Sequence, residues 1–156
     1  MPRNVVVIGV GNELRGDDRA GLEAVRRVRE CELPASVTVE LHDGEAVGLL
    51  ELWEGADSAV LVDAVRTGAP PGTIQRLDAS RAPLPSRARR SSSHTIGIGE
   101  AIELARALRT LPSTILVYGV EGCQFEAGTE LSEEVAAAID PLARKLRAEA
   151  QRQSAR

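Results

Sequence analysis

A chain of 156 residues, 43% hydrophobic and 27% charged, is long enough to bury a core as one domain and polar enough to stay in water. A net charge of −4 and 2% aromatic content exclude a general nucleic-acid binder, which needs basic grooves and stacking rings. No apolar run approaches a membrane span, and Cys31 and Cys123 form neither a disulfide framework nor a zinc-site spacing, so the cytoplasm is the expected compartment.

The N-terminal run VVVIGV ends in glycines too soon for a signal peptide and reads as a buried strand over 4–10. A polar loop, GVGNELRGDD, leads into a helix over 19–29, where Leu22, Val25 and Val28 recur at helical spacing. Asp17 or Asp18 is the natural N-cap, with the other carboxylate facing the positive end of the helix. An alternating second strand over 37–41 and a short helix over 45–53 follow. SAVLVDA, 58–64, is apolar on both faces, as a central parallel strand should be.

A turn at 68–72 precedes a weaker strand over 73–77. The stretch 81–93 is rich in Pro, Arg and Ser and has no periodicity, so it reads as a long surface loop. A helix over 99–109, a strand over 113–120 and a closing helix over 132–150 capped by Ser132 complete the chain, with 151–156 expected to fray. Strands and helices alternate throughout. That order predicts a single α/β domain over 1–150, a mainly parallel sheet with helices on both faces.

Three residues sit where the chain leaves three of these segments: Asp18, Asp63 and His94. Open α/β sheets bind ligands at the C-terminal ends of their strands, and all three residues belong to that edge. A carboxylate that ends an apolar strand, as Asp63 does, is costly to bury without a partner. His94 follows three serines and precedes a helix, so it is loop-borne; His42, after the second strand, is the substitute. Two carboxylates and an imidazole suit zinc, iron or nickel with open coordination positions, and the same groups can act as general acid and base.

The glycines Gly9, Gly11 and Gly16 invite a nucleotide- or dinucleotide-binding reading, but Leu14 stands where the fingerprint needs its third glycine. Each of these residues also has a bland role as turn, cap or surface group. There is no Gly-x-Ser-x-Gly elbow and no His-Glu-x-x-His, so self-contained hydrolases of those types are not expected.

VVVIGVGNELRGDDRAG, VLVDAV and SSSHTIGI, with YGVEG and LSEEV later in the chain, resemble in order and placement the NiFe-hydrogenase maturation endopeptidases. The resemblance covers most of the length. It implies a three-layer α/β/α sandwich and a protease that removes a C-terminal extension from the hydrogenase large-subunit precursor after nickel insertion. In that scheme Asp18, Asp63 and His94 recognise nickel carried by the substrate, and Asp18 is the favoured catalytic residue. No tightly held metal, nucleic acid or membrane insertion is implied.

The loops that would line the substrate cleft contain Gly11, Asn12, Gly44 and Glu45, and the basic stretch adds Arg87, Arg89 and Arg90 as docking residues. Asp43-Gly44-Glu45-Ala46 departs from the Asp-Gly-Gly-Thr of many relatives, and Gly122 stands where a proline often follows the family glutamate. A non-proteolytic chaperone of a metallated partner is the other alternative.

Overall fold

A computed structural model describes residues 2–85 and 97–156. Within them the order is β1 (Val5–Val10), a 3-10 turn (Gly16–Arg19), α1 (Ala20–Arg29), β2 (Val37–His42), α2 (Ala46–Trp53), β3 (Ser58–Val65), β4 (Ile74–Asp78), α3 (Ile98–Leu108), β5 (Thr114–Glu121) and α4 (Glu133–Ala155). The five strands pair in the order β2-β1-β3-β5-β4, all parallel except β4, which runs antiparallel to β5 at the edge. β1 and β3 are buried along their whole lengths, as parallel strands covered on both faces must be.

One apolar layer lies under α1 and α4, where Val25, Val28, Ile139, Leu142 and Leu146 meet Val5, Val7, Val60 and Val62. The other lies under α2 and α3, where Leu49, Trp53 and Ile102 meet Ile8, Leu61 and Ile115. Helices on both faces give the expected three-layer sandwich. The chain leaves β1 through α1 on one face and returns to β3 through α2 on the other, which makes the C-terminal ends of β1 and β3 the switch point of the sheet.

Two local expectations change. Neither aspartate caps α1: its N-cap residue is Arg19, with no side-chain cap, because a 3-10 turn carries both aspartates ahead of the helix. The last residues do not fray. α4 runs to Ala155, with Gln153 and Ser154 buried, because Ser154 bonds to Ser36 across 2.6 Å and its carbonyl accepts from the Arg3 N–H at 3.0 Å. No helix among the described residues is long and apolar enough to cross a membrane.

Candidate active site

The switch point is assembled by close backbone packing. A Cβ on Gly21, in the first turn of α1, would strike the carbonyl of Val62 and lie 2.7 Å from that of Val10. Only glycine lets α1 press this closely onto β1 and β3. The carbonyl of Asp18 occupies the space a Cβ on Gly11 would need, and it accepts from the Asn12 N–H at 3.2 Å. The loop after β1 is therefore folded back onto its own 3-10 turn, and Asn12 closes it further by accepting the Leu14 N–H at 2.9 Å.

Asp18 and Asp63 both reach this edge. Asp18 is 3% exposed and Asp63 1%. Asp63 lies one residue beyond Val62, the last β3 position paired with β1, and its Oδ1 accepts the Ala64 N–H at 2.8 Å. The 3-10 turn carrying Asp18 packs on β3. Two carboxylates from different segments are thus buried at one strand end, an arrangement whose chemistry suits a cation. His94, Arg87, Arg89 and Arg90 lie outside the described residues. Among the described residues no group of three or more His, Cys, Asp or Glu side chains is placed to hold a metal ion.

The loop after β2 borders the same edge, because the Gly11 N–H donates to the His42 carbonyl at 3.1 Å. Gly44 adopts φ 95° and donates its N–H to His42 Nδ1 at 2.9 Å, so the His42 ring carries its proton on Nε2 when neutral. Glu45 caps α2, accepting from Val47 and Gly48 N–H at 2.8 Å each. Its carboxylate thus has a local role in shaping the loop proposed to line the cleft. His42 sits directly over Gly48, where a Cβ would collide with Nε2. Leu14, in the loop after β1, and Val47, in the first turn of α2, are exposed apolar side chains (72% and 57%).

Two further acids at this end of the sheet have partners that sequence reasoning did not assign. Asp17 is wholly buried and bonded to the segment before α4, and Glu121 ends β5 with its carboxylate accepting the N–H groups of Thr67 and Gly68. The Thr67 hydroxyl adds a bond of 2.5 Å to Glu121. The second aspartate of the pair was a signal that one carboxylate had work other than capping. Glu121 entered the sequence reading only as the family glutamate before Gly122, with no role assigned to it.

The hydrogenase maturation protease model of the HycI type matches residues 22–149. The chain belongs to the hydrogenase maturation protease family. Family members it matches include the hydrogenase expression/formation proteins HupD of Thiocapsa roseopersicina and Rhodobacter capsulatus, 32% and 34% identical over 88% and 89% of this chain. The chain spans 63% and 67% of the length of those two relatives. In three dimensions this maturation-protease chain is similar to the hydrogenase maturating endopeptidase HybD from E. coli, with a TM-score of 0.79 and 26% identity over 94% of this chain and 91% of that one. The fold implied by the resemblance is the fold observed.

Proposed function

We propose that this protein is an endopeptidase of the cytoplasm that removes the C-terminal extension of a NiFe-hydrogenase large-subunit precursor once nickel has been inserted. Asp18, Asp63 and His94 recognise the nickel carried by the substrate, with Asp18 also acting in the cleavage itself. The observation that carries this reading is the burial of Asp18 and Asp63 at the switch point, at 3% and 1% exposure. Membership of the maturation protease family supports assigning that pair to the cleavage site.

A metal held by the substrate supplies a fixed point beside which the scissile bond is oriented, and orientation alone is worth several orders of magnitude in rate. Asp63 is held in the central strand, and Asp18, on the 3-10 turn ahead of α1, is the residue assigned to the reacting peptide. Gly11 and Asn12 border the carboxylates, Gly44 and Glu45 shape the adjoining wall, and Arg87, Arg89 and Arg90 dock the precursor. The test is mass-spectrometric detection of precursor cleavage by wild type, Asp18→Asn and Asp63→Asn. Cleavage by wild type, lost in both variants while their circular dichroism stays native, supports the reading. Full activity in either variant contradicts its site, and binding without cleavage by wild type favours the chaperone alternative.

A further inference from the structure

Asp17 and Asp18 are neighbours on one 3-10 turn, yet all the described hydrogen bonds of Asp17 lead away from the site. Its Oδ2 accepts from the N–H groups of Cys123 at 2.8 Å and Gln124 at 2.9 Å and from the Ser132 hydroxyl at 2.9 Å. Its Oδ1 accepts the Ser132 N–H at 2.7 Å, and its own N–H donates to the Gln124 carbonyl at 2.7 Å. Every partner belongs to the segment that joins β5 to α4. Ser132 is also the N-cap of α4, accepting from Val135 N–H at 3.4 Å. Gly122 completes the seat, since a Cβ there would lie 2.9 Å from Asp17 Cβ and 2.5 Å from the Phe125 ring.

We propose that Asp17 is a positioning residue for the candidate catalytic Asp18, bolting the turn that carries it to the β5–α4 segment; this rests on the reading of Asp18 given above. The turn is short, Gly16–Arg19, and its other side is tied to the loop after β1: Asp18 N–H donates to the Arg15 carbonyl at 3.0 Å and Asp18 carbonyl accepts from Asn12. With both sides fastened, the direction in which residue 18 leaves the backbone is set. Without the Asp17 carboxylate the β5–α4 side keeps only the Asp17 N–H bond to the Gln124 carbonyl and the exposed Arg19–Glu130 pair, and the turn loses the four bonds that fix its tilt. Four converging donors require a carboxylate. An asparagine oxygen can serve only part of the set and places its own N–H₂ against a remaining donor.

The test compares wild type, Asp17→Asn and Ser132→Ala in steady-state cleavage of the nickel-loaded precursor, well below each protein's melting temperature, together with crystal structures of all three. Asp17→Asn should lower kcat about 100-fold, the effect of misplacing a reacting group by about 1 Å, with KM little changed. Ser132→Ala removes one donor and should lower kcat by a smaller factor; it decides the matter if Asp17→Asn does not fold. The Asp18 carboxylate should be displaced in the variants' crystals. A lower melting temperature with wild-type kcat, or an unmoved Asp18 carboxylate, overturns the proposal. If wild type cleaves nothing, the peptidase reading falls, and the crystal comparison still decides whether Asp17 positions Asp18.

Discussion

Tyr118 on β5 donates a hydrogen bond of 2.7 Å to Glu149 on α4, and Arg76 on β4 donates to the same carboxylate oxygen from 2.7 Å. Gln153 reaches the other oxygen at 3.0 Å and accepts from the Ser58 hydroxyl at 3.3 Å. This buried network joins the far half of α4 to the sheet, away from the candidate site, and it explains why the helix persists to Ala155.

The network makes stability depend on pH at both extremes. Burial works to raise the Glu149 carboxyl, but hydrogen bonds from Arg76, Gln153 and Tyr118 outweigh it and hold it at about 2. Its stabilisation is present above the ordinary value of 4.5 and is lost as pH falls from there toward 2. Burial, with the Glu149 carboxylate beside it, pushes the Tyr118 phenol up to about 12, so its contribution is present below 10 and disappears as pH rises through 12. Tyr118→Phe should cost about 1.5–3 kcal/mol at neutral pH, as for a hydrogen bond to a charged group, and should remove the alkaline loss. Urea unfolding between pH 3 and pH 11 measures both; an unchanged alkaline limb would contradict the assignment.

Gly21→Ala should destabilise the fold by about 1–3 kcal/mol, the usual cost of overpacking, despite the better helix propensity of alanine. The added methyl meets the Val10 carbonyl at 2.7 Å and the Val62 carbonyl closer still, so α1 must lift from the switch point. Cleavage activity should fall further than stability alone explains, because the 3-10 turn bearing Asp18 moves with the helix. Denaturant unfolding paired with the precursor assay separates the two effects. A variant as stable and active as wild type would show that the contact has slack.

His42 and Gly48 should be energetically coupled. Gly48→Ala drives the imidazole off its seat and deprives Gly44 N–H of its acceptor, whereas His42→Ala removes the two nearest atoms and leaves the methyl only the Glu45 carboxylate at 3.2 Å. The double variant His42→Ala/Gly48→Ala should therefore be more stable than the sum of the single effects by about 0.5–3 kcal/mol, the range for residues in contact. A double-mutant cycle by thermal unfolding measures this, and strict additivity would contradict the packing.

Most of the fold is legible in the sequence because its signals are local. VVVIGV and SAVLVDAV announce buried parallel strands, and Leu22, Val25 and Val28 give α1 its face. Asp63 stands out in the sequence because a carboxylate closes an apolar run, while its burial is a finding of the structure. Legibility ends where long-range partners decide. Asp17 looks like a helix cap in its own segment, and only the backbone of residues 123, 124 and 132, more than a hundred positions later, shows its bonds. The tail reads as polar and free because Ser36 and Arg3, which hold it, are remote in sequence. The bonds that Glu45 makes as the N-cap of α2, to Val47 and Gly48 N–H, are likewise not named by its place in the sequence.

Recognition of nickel within the substrate is tested by cleavage of one precursor prepared with and without nickel, followed by mass spectrometry with wild type and His94→Ala. The C-terminal extension should be lost only from the nickel-loaded form, and only with wild type. Equal cleavage of both forms, or full activity without the imidazole of His94, would contradict it.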